Sequence, residues 1–257
     1  MPSVADIAHA LAERTRPGAT PDWDPVGLQL GDPDAGVTSV AVCHEVNDEV
    51  VARIETQPVD LLVTYHPLLF TPTTKLVAGR SPGARSYRLV RAGVNLLVTH
   101  TDFDSAPGGS ADALAALFDL RDVRPFGGDS ETGLGDIGRY GSFSGTLGTI
   151  DAIVADAFGH VGIRISGDRD ADVETVAVVP GSGGSLIEAA VERAEALVTG
   201  DVTHHRVVAA RDLGLAVVDP GHIATERPGM AALVEMVGQV SDMDVIDLTG
   251  IDPQTWN

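Results

Sequence analysis

Short apolar runs alternate along the chain with segments in which apolar residues recur every three or four positions. The runs at 39–46 (SVAVCHEV), 59–66 (VDLLVTYH) and 94–104 (VNLLVTHTDFD) predict strands, and the two segments between them predict helices. Asn47 can cap the first of these helices, and Gly93 can end the second. The pattern therefore predicts the order β-α-β-α-β.

The same order returns towards the C-terminus. The apolar runs at 175–183, 195–205 and 215–226 predict three further strands with helices between them. Continuous apolar strands that alternate with helices are typical of parallel sheets covered on both faces. We therefore expect an α/β protein with two duplicated β-α-β-α-β halves and mainly parallel sheets. The predicted divisions are the first α/β half at 1–124, a connector with a short strand and helix at 125–172, and the second α/β half at 173–257.

The connector is less regular than the two halves. Its segment 139–147 (RYGSFSGTL) alternates polar and apolar residues and predicts an edge strand. The apolar spacing at 149–159 (TIDAIVADAFG) predicts a short helix.

Side chains that could bind metal ions or move protons follow the predicted strands. They are His66, His100, Asp104, His204, His205, His222 and Glu226. Ligands of open α/β sheets bind beyond the carboxyl ends of the strands, so we expect one site there, between the halves. His222 and Glu226 are four residues apart and would share one face of a helix, where they could hold a metal ion. The alternative is that this pair only caps the start of a helix.

The residue types limit which metal this site could take. Histidine and carboxylate ligands suit Zn, Fe, Mn or Ni better than Ca. Cys43 is the one cysteine, so a thiolate-rich site is excluded. We expect divalent metal ions as the cofactors, and up to two of them per chain.

The charge of the chain disfavours nucleic acid as a partner. Its formal net charge is −20 at pH 7, and Lys75 is the one lysine. Nucleic-acid binding draws mainly on Lys and Arg, so no nucleic-acid partner is expected. No apolar run approaches the ~20 residues of a membrane helix, and the first residues lack the pattern of a signal peptide. We expect a cytoplasmic protein with no membrane partner.

A glycine-rich turn at 179–186 (VPGSGGSL) precedes a predicted helix. Backbone N–H groups at such a turn can hold an anion such as phosphate. The segment lacks the lysine of a phosphate-binding loop, so a tight strand-to-helix turn is the alternative.

Several motifs in this order resemble the NIF-three-like family of dinuclear-metal proteins, often named GTP cyclohydrolase 1 type 2 homologues. The motifs are WDPVGLQLGD, DLLVTYHPLLF, THTDFDSAPGG, GSGGSLIEAA, LVTGDVTHH and DPGHIATERP, and they cover nearly the whole chain. The resemblance implies that His66, Asp104, His222 and Glu226 are metal ligands, with Asp104 bridging and His100 close by. It also implies the short form of the family and a homohexamer.

The chain departs from the family pattern at one position. The family usually reads THHP where this sequence reads TYHP, so Tyr65 replaces a histidine ligand. A phenol has a reference pKa near 10 and must lose its proton to bind a metal well. Tyr65 could bind as phenolate, it could turn aside, or the site could be mononuclear or weakly loaded. We favour weakened occupancy of one metal position.

These features favour a metal-dependent, hydrolase-like protein. A metal-bound hydroxide would act on a phosphate-bearing or nucleotide-like small molecule, and the exact substrate is unknown. His100, His204 or His205 would move protons, because histidine titrates near neutral pH. The alternative is a non-catalytic metal-binding or scaffold hexamer.

Overall fold

The computed structural model of the chain describes residues 1–15, 20–79, 81–159 and 162–251. The chain divides into two compact units. The first comprises Met1–Phe103 and a C-terminal segment that begins at Leu233, and the second comprises Asp104–Ala232.

Helices and strands alternate along most of the chain. The helices are α1 (Val4–Thr15), α2 (Asp48–Thr56), α3 (Pro82–Arg91), α4 (Thr101–Ser105), α5 (Ser110–Leu117), α6 (Leu147–Phe158), α7 (Ile187–Val191), α8 (His204–Asp212) and α9 (His222–Ser241). The strands are β1 (Gly27–Leu30), β2 (Val40–Cys43), β3 (Leu61–Thr64), β4 (Asn95–Val98), β5 (Arg121–Phe126), β6 (Gly138–Thr146), β7 (Arg164–Ser166), β8 (Asp172–Ser182), β9 (Ala196–Gly200), β10 (Ala216–Asp219) and β11 (Val245–Asp247).

The first unit is built on a five-stranded sheet with the order β1-β4-β3-β2-β11. Strands β2, β3 and β4 are parallel neighbours, β11 adds to β2 in parallel, and β1 pairs with β4 in the antiparallel sense. Every residue of β2, β3 and β4 is buried, which explains their continuous apolar runs.

Caps and apolar faces place the helices of this unit. The Asn47 side chain accepts hydrogen bonds from the backbone N–H groups of Glu49 (3.0 Å) and Val50 (2.8 Å), as the sequence predicts. Helix α2 then buries an apolar face that includes Val50, Val51 and Ile54. Ser81 caps α3 by accepting the N–H of Ala84.

The second unit is built on a six-stranded sheet with the order β5-β6-β8-β9-β10-β7. Only β8–β9 and β9–β10 are parallel, while β5–β6, β6–β8 and β10–β7 are antiparallel. Both sheets of the chain are therefore mixed, and the expectation of mainly parallel sheets in duplicated halves is not confirmed.

The prediction of an edge strand at 139–147 is wrong. The strand there, β6, lies inside the sheet between β5 and β8. Its neighbour β5 carries the sequence RDVRPF, in which every residue except Phe126 is exposed. Because β5 consists mainly of charged, exposed residues and a proline, the alternation of apolar residues does not predict it.

Each unit has its own apolar core. In the first, α2 and α3 pack side chains such as Val50, Ile54 and Leu89 against the sheet. In the second, clusters lie on both faces of the sheet, one around Ile150 and Val178 and the other including Leu197. Across the described residues, no helix is long and apolar enough to cross a membrane.

Cys43 is the last residue of β2 and is fully buried. Burial raises the pKa of its thiol to about 12, although a hydrogen bond involving Thr64 acts in the opposite direction. Such a thiol carries almost no thiolate at neutral pH, so it is an inert part of the core.

Candidate metal centre

Four rings meet at the carboxyl ends of three parallel strands in the first unit. They belong to His44 after β2, Tyr65 and His66 after β3, and His100 after β4. The centroid of His66 lies 5.1 Å from that of His44, 5.0 Å from that of Tyr65 and 5.7 Å from that of His100. Successive parallel strands end at one edge of the sheet, so residues distant in sequence form one cluster there.

His44 and His66 have the geometry of a metal-binding pair. A ring nitrogen of His44 and one of His66 lie within 4.8 Å of each other, close enough to share an ion. His44 is buried and His66 is partly exposed. The sequence-based ligand set lacks His44. Its position directly after a buried strand, like that of His66 after β3, is the signal that could have identified it.

Tyr65 is buried inside this ring cluster, with 1% of its surface exposed. Its ring centroid lies 5.4 Å from that of His44 and 5.7 Å from that of His100. Phe103 packs edge-on against it with a centroid distance of 6.2 Å. The tyrosine is therefore an integral part of the strand-end cluster rather than a surface side chain.

His100 is oriented by a buried carboxylate. Its Nδ1 lies 2.8 Å from Asp24 Oδ1, and Asp24 Oδ2 accepts hydrogen bonds from the N–H and hydroxyl of Thr101. Burial would raise the pKa of Asp24, but the bonds from His100 and Thr101 outweigh it and hold that pKa below its usual value. Asp24 was missed as a functional residue because it lies in an irregular segment 76 residues from His100.

The short helix α4 holds two buried acids. Asp102 Oδ1 accepts the N–H of His100 at 2.7 Å, and burial raises the pKa of this carboxyl group. Asp104, a predicted metal ligand, is buried in the same helix. A buried carboxylate generally needs a partner of opposite charge or several hydrogen bonds, and a metal ion would supply that charge.

In the second unit, the predicted pair at the start of α9 is formed. His222 Nε2 lies 3.0 Å from Glu226 Oε1, and His222 Nδ1 lies 2.9 Å from Asp201 Oδ2. Burial would lower the pKa of His222, but Glu226 and Asp201 outweigh it and raise that pKa to about 9. Glu226 is almost completely buried. The spacing of four residues thus brings an imidazole and a carboxylate into contact, as expected.

Two glycines allow this close packing. A Cβ atom on Gly181, whose φ is +65°, would lie 2.7 Å from Glu226 Oε1. A Cβ atom on Gly200 would lie 2.5 Å from the backbone nitrogen of His222. Asp219 fixes the neighbouring loops by accepting the N–H groups of Val202 and Gly221, each at 2.9 Å.

The glycine turn after β8 is a packed structural turn. The N–H of Gly181 donates to Thr225 Oγ1 at 2.9 Å, and the N–H of Gly183 donates to Thr199 Oγ1 at 2.8 Å. Both donors are therefore used inside the unit, and the Glu226 carboxylate lies against the same turn. These contacts favour the tight-turn alternative over an anion site.

His204 and His205 begin helix α8 and do not lie within a strand, although the predicted strand at 195–205 included them. Both are exposed, and His205 Nε2 lies 3.3 Å from the Thr203 hydroxyl oxygen. Their proposed role in proton transfer stays a prediction.

The available donor atoms fit a borderline transition metal. They are imidazole nitrogens in the first unit and an imidazole–carboxylate pair in the second, with no thiolate among them. Asp24 and Asp201 each hold Nδ1 of a histidine. In this way outer carboxylates fix the orientation of histidines at metal sites.

Comparison with known proteins gives one consistent result. The family model described as Duf34/NIF3 (NGG1p interacting factor 3) matches residues 2–252. A "GTP cyclohydrolase 1 type 2 homolog" of Streptomyces coelicolor is 34% identical over 96% of this chain and 90% of its own.

Solved structures share the fold. A Bacillus cereus protein related to NIF3 superposes with a TM-score of 0.87 at 19% identity, covering 100% of this chain and 99% of its own. Reduced HcgD from Methanocaldococcus jannaschii superposes with a TM-score of 0.81 at 28% identity, covering 96% and 98%.

Proposed function

The chain belongs to the Duf34/NIF3 (NGG1p interacting factor 3) family. From this premise we propose that it binds divalent metal ions and hydrolyses a phosphate-bearing or nucleotide-like small molecule. One observation carries the proposal: the ends of parallel strands hold a pair of close imidazoles in the first unit and an imidazole in contact with a buried carboxylate in the second.

The proposed ligands come from the strand ends. His66, Asp104, His222 and Glu226 are the ligands that the family resemblance implies, and His44 is a further donor beside His66. Tyr65 takes the place of the missing histidine, and its burial favours a role at one metal position as a weaker ligand. We expect Zn, Fe, Mn or Ni, with up to two ions per chain.

The surrounding residues support hydrolysis. A bound divalent ion supplies a positive charge that lowers the pKa of coordinated water and offsets the charge of an anionic substrate. Asp24 accepts the Nδ1 proton of His100, so that Nε2 is the atom left to take up or release a proton. His204 and His205 are the alternative proton carriers. The name GTP cyclohydrolase 1 type 2 homolog belongs to the relatives, and no residue described here selects guanine.

Metal content tests the first half of the proposal. We would measure bound metal by elemental mass spectrometry in protein purified without a histidine tag or chelator, beside its Tyr65→His and Glu226→Gln variants. Less metal in the natural protein than in Tyr65→His would support a weakened position at Tyr65, and Glu226→Gln should lose metal. His9→Gln, which changes an exposed histidine of α1, is the matched control. Equal metal content in all four proteins would contradict the assignment.

Hydrolysis tests the second half. We would assay phosphoesters and nucleotides with each metal, and we expect Asp104→Asn to abolish turnover without unfolding the chain. The second candidate is the non-catalytic metal-binding or scaffold hexamer, which the replacement of one histidine ligand by Tyr65 favours. It predicts bound metal and a sixfold mass by light scattering, with no activity under any metal.

A further inference from the structure

A cleft of about 450 Å³ opens beside His66 in the first unit. Its volume lies within the usual range of small-molecule pockets. Its lining includes His66 and Phe70 together with Lys75 and Arg85. The cleft thus joins a proposed metal ligand to two cationic side chains.

The lining of this cleft is far less acidic than the chain as a whole. The chain has 37 acidic residues against 17 basic ones, and its one lysine, Lys75, lines this cleft. Arg85 lines it as well, and Glu45 is the single acid among the lining residues. Two cations that line one cleft on so acidic a protein would attract an anion.

The two cations keep donors available for a ligand. Among the described residues, no carboxylate lies within 4.0 Å of the Lys75 ammonium group. Arg85 is paired with Asp48 through Nε at 3.3 Å, a contact that does not involve its two terminal nitrogens. A guanidinium group can hold a phosphate through two parallel hydrogen bonds, while an ammonium group acts as a point charge.

Hydroxyl groups line the cleft as well. Thr71, Thr73, Thr74 and Ser81 line the same cleft. Ser81 accepts the N–H of Ala84, a contact that does not use its own hydroxyl hydrogen. A phosphate group, with several acceptor oxygens, would match this set of donors.

Close packing holds the lysine segment in place. A Cβ atom on Gly83, in the first turn of α3, would lie 2.3 Å from the Lys75 carbonyl oxygen. The segment therefore packs directly on the helix start, and only glycine permits that approach. The backbone of Lys75 is thus held beside the start of α3, the helix that carries Arg85, although the Lys75 side chain is exposed.

We propose that this cleft is an anion subsite in which Lys75, Arg85 and the neighbouring hydroxyls hold the phosphate group of a small molecule while its reactive end lies towards His66. The proposal rests on the proposed function for the identity of the molecule. Binding of the phosphate group itself does not depend on turnover.

The single lysine allows a direct test of binding. An amine-acylating reagent modifies Lys75 and the N-terminal amine, and peptide mass spectrometry separates the two. We would compare inorganic phosphate and pyrophosphate with sodium chloride at equal ionic strength. Both phosphates should protect Lys75, pyrophosphate more strongly, while the N-terminal amine stays equally reactive. The full chain would be tested as purified and again after chelation, so that protection through a bound metal is separated from protection by the cleft.

Variants identify the residues involved. Arg85→Gln should weaken protection about tenfold, because a hydrogen bond to a charged group is lost. Asp48→Asn should strengthen it by releasing the Arg85 guanidinium, and this opposite result keeps the test decisive if Arg85→Gln fails to fold. Arg53→Gln is the control for Arg85→Gln, because it also removes one positive charge but on the exposed side of α2. It should leave the protection of Lys75 unchanged.

Two results would overturn the subsite: no protection of Lys75 after chelation, or equal protection in wild type, Arg85→Gln and Asp48→Asn. Protection of Lys75 without hydrolysis of any phosphoester would keep the anion subsite and reject the hydrolase. Hydrolysis without protection would keep the hydrolase and reject the subsite.

Discussion

The strand ends of the two units hold histidines in different surroundings. In the first unit, His44, His66 and His100 lie among other rings, and one carboxylate orients His100. In the second, His222 is held between two carboxylates, Asp201 and Glu226. The same kind of sheet edge thus carries an imidazole cluster in one unit and a charged triad in the other.

The difference shows how the surroundings of a histidine determine its charge. Two carboxylates raise the pKa of His222 to about 9, so without a metal this side chain carries a proton at neutral pH. In the first unit the shift is seen on the carboxyl group instead. Burial opposes it, but the hydrogen bonds from His100 and Thr101 lower the pKa of Asp24. A metal ion would replace the proton between His222 and Glu226 and complete the charge balance there.

The largest expected effect comes from crowding the second region. Gly200→Ala would place a methyl group against the backbone of His222, so we expect a loss of about 3 kcal/mol in the free energy of unfolding, together with lower metal content. Urea unfolding measures the first and elemental analysis the second. Gly184→Ala is the matched control, since its added Cβ would have no atom within 4 Å apart from its chain neighbours and its own helical turn. Equal losses in the two variants would show that the close approach at Gly200 does not matter.

A smaller effect should appear in the metal-free protein as pH rises. The folded pKa of His222, about 9, lies above its unfolded value near 6.5, so its contribution is complete below pH 6.5 and is lost as pH rises through 9. We expect this contribution to be about 2 kcal/mol after solvent screening is allowed for. Urea unfolding across this pH range measures it, and Glu226→Gln should flatten the curve. A variant with the same slope as the wild type would argue against the pairing.

The smallest effect is expected in the first region. Asp24→Asn removes a charged acceptor from His100 and Thr101, so we expect a loss of about 1.5 kcal/mol at neutral pH. Because the folded pKa of Asp24 is lowered, its contribution is present above the unfolded value near 3.8 and is lost as pH falls through the folded pKa. The difference from wild type should therefore shrink in acid. Asp22→Asn, at an exposed neighbour, is the control, and a comparable loss there would contradict the assignment.

Local patterns of the sequence predicted the central strands and helices well. Strands β2, β3 and β4 are continuous apolar runs because both faces of the sheet are covered, and Asn47 caps α2 through its own side chain. The contact between His222 and Glu226 follows from helical spacing alone. These features depend on residues that are close together in the chain.

Features that depend on long-range pairing were missed. Strand β6 has an interior position because β5, with its exposed Arg121 and Arg124, pairs beside it. Asp24 reaches His100 only through folding of the intervening chain. The antiparallel strands at the sheet edges show no clear alternation of apolar and polar residues that would have predicted them. No local signal distinguishes such residues, since their partners are set by topology rather than by spacing.

The buried thiol of Cys43 offers a way to measure local opening of the first sheet. It is one residue from His44, and its raised pKa and complete burial leave it unreactive in the closed state. Any modification by a thiol reagent at neutral pH must then pass through an opening of β2, so the labelling rate measures how often that strand separates from its neighbours. A slower labelling rate with metal present would show how strongly a bound ion stabilises this end of the sheet.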